Sequence, residues 1–451
     1  MAAAADFNTA QEQRFDALAA SLSRQLRRGE AFSAWYAAER SDFVRFNGAR
    51  VRQIGVVAQA VVQLRLWRGQ RHAALSLTLA EEPAADALRL AEGLAALREA
   101  LDAAEDDPFF HPPQGGWQVR TVQGGTLPSP ARVAQAVADA AQGLDVVGFY
   151  AGGPLWRGFA DARGTRGWHA AESFNFEWSL FQPDGQAAKA SYVGSDWSEA
   201  GFQARFAALR EQYALLARVP RTLEPGTYRA YLAPAALDEV FALLNQRGGF
   251  SARELQSRRS PLVRLQDGAS SFDGRIRLVE QVAGAGLAPG FTADGERRSL
   301  VALIDGGRFG SGIVSPRSAR EFGLAANGGS PAETAASLEL APGTLPERDV
   351  LAALGTGLYL GNLWYLNFSD RVGLRITGLT RFAAFWVEDG RIVAPVATMR
   401  FDDSLYDLLG GNLVDLTAER QLLSEALGRS ERSTASSLLP GALVRSLRLV
   451  L

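Results

Sequence analysis

The first regular pattern of apolar residues spans residues 11–28, where they recur three or four positions apart. This spacing places them on one face of an α-helix, so the pattern predicts an amphipathic helix. The apolar positions are Phe15, Leu18, Leu22 and Leu26. Gly29 follows directly and predicts the end of the helix, because glycine readily adopts the left-handed conformation that closes a helix.

Strand patterns dominate residues 32–80. Val62, Leu64 and Leu66 alternate with other residues, which is the two-residue period of a β-strand. Asn47-Gly48 predicts a hairpin turn between two of the strands, because both residues tolerate the positive φ that tight hairpins require.

The rest of the N-terminal half mixes helical and strand patterns. Ser129 followed by Pro130 is typical of a helix start. Prolines and glycines in residues 106–117 predict a loop. Helices are predicted at residues 83–104, 130–142 and 199–217, and strands at 145–152, 168–182 and 187–195. This half is therefore predicted to be an α/β domain.

A proline-rich stretch, VPRTLEPGTYRAYLAP at residues 219–234, marks the predicted domain boundary. We predict an N-terminal α/β domain at 1–220 and a β-rich C-terminal domain at 221–451, which makes the chain α+β overall. Beyond the boundary, helices are expected only near 234–246 and 349–355. The last residues start polar and end apolar, which fits a final strand or an interface tail.

Composition and charge exclude several kinds of chemistry. The 47 basic and 49 acidic residues give a net charge of −2, which argues against a general nucleic-acid or membrane surface. The chain contains no cysteine, so disulfides, thiolate zinc sites and cysteine nucleophiles are impossible. Only three histidines are present, which restricts histidine-based catalysis.

The hydropathy of the chain predicts its compartment. The N-terminus lacks the basic segment and apolar core of a secretory signal, and no stretch approaches the ~18 apolar residues of a membrane-spanning helix. We therefore expect a soluble, cytoplasmic protein.

Several separated stretches carry a resemblance to a known family. They include SDFVRFNGARVRQIG at 41–55, LEPGTYRAYLAPAALDEVFALL at 223–244, RRSPL at 258–262, and the segments 291–323 and 357–396. In this order and spacing they resemble the TldD/PmbA family, the modulator-of-gyrase group of metallopeptidase-related proteins. The first stretch is similar to the family's opening hairpin, and the second is similar to the strand and helix that lead into its metal motif.

The resemblance implies a helix that carries the metal motif in catalytic members of the family. There the helix has His-Glu, three further residues and a second His, with a cysteine further on as an additional ligand. In this sequence Asn245 takes the place of the first His, Gln246 that of Glu, and Phe250 that of the second His, while Gly249 keeps the glycine. Imidazoles bind zinc and a glutamate can accept the proton of metal-bound water. A neutral amide is a weak ligand and a phenyl ring is none, so the motif is degenerate.

Two interpretations of this helix end remain open. Gly248-Gly249 can simply end an ordinary helix, or the helix can be a metal helix that has lost its ligands. The resemblance implies a complex of two subunit types, in which a TldD-like subunit carries zinc and a TldE/PmbA-like subunit lacks it. This chain resembles the second kind, with no cofactor of its own and zinc expected in its partner.

An aromatic and basic cluster in the C-terminal half is a candidate groove for a partner or an extended peptide. Exposed aromatic residues beside strand edges suit such contacts, and arginines can orient carboxylates. The alternative is packing in a β core for the aromatic residues and solvated strand faces for the arginines. The candidate residues are Asn362, Trp364, Tyr365, Phe368, Arg371, Arg375 and Arg381.

Three functions are compatible with these patterns. The first is a non-catalytic TldE/PmbA-like subunit of a cytoplasmic metallopeptidase complex that processes short or unfolded peptides. The second is a peptidase in its own right, with a relocated metal site built from carboxylates and His169, for which Glu172 is the carboxylate to test. The third is a homodimeric peptide-binding scaffold. No nucleic-acid or membrane partner is expected.

Overall fold

The computed structural model describes residues 2–80, 82–282, 287–424 and 431–450. Helices and strands are mixed throughout, which confirms the predicted α+β class. The helices are α1 (Ala2–Gln25), α2 (Pro83–Ala103), α3 (Pro130–Ala140), α4 (Glu199–Leu216), α5 (Pro234–Gln246), α6 (Ala252–Gln256), α7 (Val263–Gln266), α8 (Pro316–Phe322) and α9 (Val350–Leu354). None of the helices within these ranges combines the length and apolar character needed to cross a membrane.

The N-terminal half contains a seven-stranded sheet in the order β3-β2-β1-β5-β6-β4, with β7 beside β6. Neighbouring strands are antiparallel except for the parallel pair β4 and β6. The strands are β1 (Ala31–Asn47), β2 (Arg50–Arg68), β3 (Arg71–Thr78), β4 (Gln118–Gln123), β5 (Asp145–Asp161), β6 (Arg166–Phe181) and β7 (Ala187–Gly194). A hairpin joins β1 and β2 as predicted, but its two turn residues are Gly48 and Ala49, both at positive φ, whereas Asn47 is the last residue of β1.

The C-terminal half contains a thirteen-stranded sheet, of which β20 is the central strand because it pairs with β8, β12, β18 and β19. The strands are β8 (Gly226–Leu232), β9 (Leu278–Glu280), β10 (Val301–Asp305), β11 (Arg308–Phe309), β12 (Ser337–Leu340), β13 (Gly357–Leu360), β14 (Trp364–Asp370), β15 (Arg375–Leu379), β16 (Ala384–Glu388), β17 (Arg391–Pro395), β18 (Arg400–Ser404), β19 (Leu413–Leu423) and β20 (Ser436–Leu449). Residues Ser436–Leu449 form β20, which confirms the predicted final strand.

The predicted helices agree with the structure to within a few residues, and α5 matches at both ends. The first helix is displaced, because α1 begins before residue 11 and ends at Gln25. Three short helices, α6, α7 and α8, were not predicted. Two of them begin at serines, Ser251 and Ser315, whose hydroxyls accept hydrogen bonds from backbone N–H groups of the first turn. The proposed boundary at residues 220/221 stays a prediction.

The two halves share apolar packing. Helices α1 and α2 cover one region of the N-terminal sheet, and α3 and α4 cover another. This second region includes Ala383 and Phe385 from the C-terminal half. Burial of apolar side chains therefore holds the halves together.

A buried arginine adds a polar link between the halves. Arg432 is 4% exposed and donates hydrogen bonds to the carbonyls of Gly153 (3.0 Å) and Ser173 (2.8 Å) and to the hydroxyl of Ser41 (3.2 Å). Burial lowers the pKa of this guanidinium to about 10, partly offset by the charge of Glu39. The segment that leads into β20 is thereby anchored in the N-terminal sheet.

Replacing Arg432 by alanine tests this anchor. The change leaves the buried carbonyls of Gly153 and Ser173 without their donor, so we expect the free energy of unfolding to fall by about 2–4 kcal/mol, since a buried polar group without a partner costs about 1–3 kcal/mol. Urea denaturation measures the loss. The control is Arg348→Ala, whose side chain is 85% exposed and whose loss should cost less than about 1 kcal/mol. Equal losses in the two variants would contradict the anchoring role.

Candidate functional site

The end of helix α5 shapes the region of the predicted metal motif. The backbone N–H of Arg247 donates to the carbonyl of Leu243 (3.0 Å), and that of Gly249 donates to Leu244 (2.7 Å). Gly248 has a φ of +73°, and a Cβ on Gly249 would lie 2.7 Å from the Leu244 carbonyl oxygen. Both glycines are needed for this turn, because a side chain would be strained at the first and would clash at the second. The helix therefore stops immediately after the Asn-Gln pair.

The three positions of the predicted degenerate motif lie in three different environments. The Nδ2 of Asn245 donates to the carbonyl of Ala335 (2.9 Å), and its Oδ1 accepts from the N–H of the same residue (2.8 Å). Gln246 is exposed at the helix end. Phe250 is 1% exposed and belongs to the core of the C-terminal half. Asn245 thus fixes the segment before β12 to the helix, while Phe250 contributes to packing.

The chain beyond Phe250 is organised by one buried carboxylate, that of Glu333. Its Oε2 accepts from the hydroxyl of Ser251 (2.6 Å) and the N–H of Arg253 (2.8 Å). Its Oε1 accepts from the N–H (2.9 Å) and hydroxyl (2.7 Å) of Ser315. Burial alone would raise the pKa of Glu333, but these hydrogen bonds lower it overall. One carboxylate therefore joins the first turns of α6 and α8.

Replacing Glu333 by glutamine should lower stability at neutral pH by about 1–3 kcal/mol, because the amide cannot accept as many of these donors. The folded-state pKa lies below the ordinary 4.5. The carboxylate's contribution is hence fully present above pH 4.5 and is lost as the pH falls through the folded-state value.

Thermal unfolding of wild type and Glu333→Gln from neutral to acidic pH should show the two curves converging in acid. The matched control is Glu321→Gln, which changes an exposed carboxylate in α8. A stability difference that does not depend on pH would contradict the role of the ionised carboxylate.

Three of the predicted groove residues form an exposed cluster at the edge of the C-terminal sheet. β14 pairs with β15 on one side, and no second strand partner occurs in the described part of the chain. The rings of Trp364 and Tyr365 lie 5.7 Å apart, and the Arg381 guanidinium lies 4.5 Å from the Trp364 ring centroid. Trp364 is 40% and Tyr365 is 78% exposed. This arrangement suits contact with another chain.

Two further predicted groove residues connect this edge to the end of α5. The Arg371 guanidinium donates to the carbonyls of Arg247 (2.6 Å) and Arg259 (2.7 Å) and lies 5.5 Å from the Phe368 ring centroid. The backbone of the degenerate motif is thus fixed to the β14–β15 hairpin.

The remaining two predicted residues lie elsewhere. Arg375 forms an ion pair with Asp402 at 2.7 Å within the sheet. Asn362 lines a large cleft. The seven residues therefore do not form one continuous groove, and their contact with a partner or peptide stays a prediction.

The cleft lies between the two halves of the chain and has a volume of about 1320 Å³. The N-terminal wall carries the basic residues Arg45, Arg52, Lys189 and Arg205, and the C-terminal wall carries the acidic residues Asp238, Glu239, Glu347 and Glu419. Each wall also has a charge of the opposite sign, Glu177 and Arg420. Sequence reasoning missed this cleft because its walls come from positions far apart in the chain.

His169 is not placed beside Glu172. It is 2% exposed, and its Nε2 lies 3.0 Å from the carbonyl oxygen of Leu287. Burial lowers its pKa to about 4, whereas the Glu172 carboxylate accepts a hydrogen bond from Gly125. Within the described ranges, no group of three or more His, Asp or Glu side chains could hold a metal ion. The relocated metal site has no supporting geometry there.

Two sheets with a cleft between them, and helix α5 ending at Asn245-Gln246, give the fold of a protein related to metallopeptidases. The family model described as the PmbA/TldA metallopeptidase C-terminal domain matches residues 225–450. The chain belongs to the PmbA/TldD family. No curated protein matches it.

Solved structures share the fold over nearly the whole chain. TldE from Thermococcus kodakarensis has a TM-score of 0.77 at 12% identity, covering 97% of this chain and 100% of its own. A protein described as a modulator of DNA gyrase from Thermotoga maritima MSB8 has a TM-score of 0.75 at 14% identity, with the same coverage. Another so described, from Bacteroides thetaiotaomicron VPI-5482, has a TM-score of 0.72 at 12% identity, covering 97% of this chain and 98% of its own. These likenesses confirm the fold.

Proposed function

We propose that this chain is the non-catalytic, TldE/PmbA-like subunit of a cytoplasmic metallopeptidase complex that acts on short or unfolded peptides. The observation that carries the proposal is the chemistry at the end of α5. Both polar atoms of the Asn245 amide are bound to the backbone of Ala335, and Phe250 is a core residue.

These residues do not fit a zinc ion. Zinc in proteins is held by imidazole, thiolate or carboxylate groups. At the three motif positions, the Asn245 amide is hydrogen-bonded to the backbone, the Gln246 amide is exposed to solvent, and Phe250 has a phenyl ring. The zinc, the general base and the bond cleavage are therefore assigned to a TldD-like partner, and this chain supplies binding surface.

The cleft supports a role in handling peptides. A peptide backbone presents donors and acceptors, and its ends carry opposite charges. The basic and acidic walls of the cleft offer complementary charges for such a chain. In this proposal the cleft admits an extended segment, and the subunit limits access to the partner's metal site by the size of that opening.

The exposed edge of β14 supports the contact with the TldD-like partner. Its backbone edge and the cluster of Trp364, Tyr365 and Arg381 combine the features of a strand-addition site with those of an interface hot spot. Because Arg371 binds the end of α5, a partner at this edge would also lie next to the degenerate motif.

Co-expression with a TldD-like subunit that retains His-Glu-x-x-x-His tests the proposal. We expect a complex that survives gel filtration and cleaves unfolded peptides, with zinc in the partner. Trp364→Ala/Arg381→Ala should weaken the complex tenfold or more, because interface hot spots are worth about 2 kcal/mol or more. Val219→Ala, which shortens a residue that is 85% exposed, is the control.

Two results would contradict the proposal. One is the absence of association at micromolar concentration. The other is stoichiometric zinc in the isolated chain together with peptidase activity that Glu172→Ala abolishes, which would instead support a peptidase in its own right.

A further inference from the structure

A second, smaller cavity lies between helix α1 and the edge of the N-terminal sheet. Its walls come from α1, β4 and β6, and its volume is about 270 Å³. It shares no lining residue with the large cleft between the two halves of the chain. Pockets for drug-sized ligands have volumes of about 300–1,000 Å³, so this cavity suits a smaller molecule.

The pairing of β4 with β6 determines which side chains line the cavity. The two strands are parallel, with Gln118 opposite Arg166 and Arg120 opposite Trp168. Side chains two residues apart on a strand lie on the same face of a sheet. The ring centroid of Trp168 lies 6.0 Å from that of Phe15 in α1, so this is the face that α1 covers. The cavity therefore combines an aromatic floor with polar walls.

The indole N–H of Trp168 is a buried donor that lacks an acceptor. Trp168 is 4% exposed, and its Nε1 has no hydrogen-bond partner among the described residues. Buried donors in native proteins are nearly always paired, because an unpaired donor has lost its hydrogen bonds to water. A bound molecule with an acceptor group would supply the missing partner.

The charged side chains of the cavity comprise one close pair and two separate charges. Nε and Nη2 of Arg120 donate to the two carboxylate oxygens of Glu12 at 2.7 and 2.8 Å. Arg166 donates instead to the carbonyl of Thr165 (2.9 Å), and among the described residues neither it nor Asp16 has an ion-pair partner. Partial desolvation raises the pKa of Asp16, and the positive charge of Arg166 opposes this shift. A cation and an anion are thus close together without being paired.

We propose that this cavity binds a free α-amino acid with an aliphatic side chain. Arg166 and the N–H of Trp168 bind the carboxylate of the amino acid, and Asp16 binds its ammonium group. The aliphatic side chain lies against the rings of Phe15 and Trp168. The proposal does not depend on the proposed function, because it concerns a different cavity.

The size and charge of the cavity disfavour other ligands. An extended peptide is too large for about 270 Å³. A simple anion would leave Asp16 without a partner and would place a second negative charge close to it. A simple cation would leave both Arg166 and the Trp168 N–H unpaired. An α-amino acid carries both charges on one carbon and satisfies all three groups.

Isothermal titration of L-leucine into the purified full chain measures the proposed binding. We expect one leucine per chain, with a dissociation constant below millimolar. Two analogues of leucine test the need for both charges, since 4-methylpentanoate lacks the ammonium group and 3-methylbutylamine lacks the carboxylate. Each should bind at least tenfold more weakly, because each loses charge-assisted hydrogen bonds.

Three single substitutions test the assigned contacts. Trp168→Phe removes the N–H and keeps an aromatic ring, whereas Arg166→Met and Asp16→Asn each remove one charge. Each should raise the dissociation constant of leucine at least tenfold. Asp16 is exposed, so its variant should fold even if a change at Trp168 impairs folding, and circular dichroism checks all three.

Matched controls and a map of the binding region complete the test. Trp364→Phe and Arg348→Met make similar changes at exposed positions and should leave leucine affinity unchanged. Leucine should slow hydrogen–deuterium exchange in residues 12–16 and 118–123 but not in residues 234–246 beside the large cleft.

Four outcomes would overturn the proposal. They are the absence of binding at millimolar leucine, equal affinity for leucine and 4-methylpentanoate, unchanged affinity in folded Asp16→Asn protein, and slowed exchange at the large cleft alone.

Discussion

The turn that ends helix α5 is the constraint on which the rest of the candidate site depends. Gly249 packs against the carbonyl of Leu244 with no room for a side chain, so the chain must leave the helix there. The next residue, Phe250, then enters the core. A metal helix would have to present the side chains at 245 and 250 to one ion. Here the first binds backbone and the second is covered by apolar neighbours.

The same turn connects several other parts of the C-terminal half. Ser251 follows Phe250 and begins α6, and its hydroxyl binds the Glu333 carboxylate, which also holds the start of α8 through Ser315. Arg371 binds the carbonyl of Arg247 and so fixes the β14–β15 hairpin to the turn. In the proposed function, this helix end therefore has a structural role instead of binding a metal ion.

The sequence pattern predicted those helices and turns whose bounds depend on residues close to them in the sequence. The bounds of α5 follow from Pro234 at its start and the glycine pair at its end, and Gly48 predicts the β1–β2 turn to within one residue. Helices α6 and α8 were not predicted, because each is only a few residues long. Their first turns also depend on hydrogen bonds to Glu333, which is distant from α6 in the sequence. The separate positions of Asn362 and Arg375 could not be predicted either, since they result from strand order in the larger sheet.

Positions 245, 246 and 250 form a helix end and a core contact, and restoring the side chains of the metal motif should not by itself create a zinc site there. Isothermal titration of zinc into Asn245→His/Gln246→Glu/Phe250→His measures this directly. We expect no zinc binding tighter than micromolar and a lower melting temperature, because a histidine would replace the buried ring and the Ala335 hydrogen bonds would be lost. Nanomolar zinc affinity in a variant as stable as wild type would contradict it.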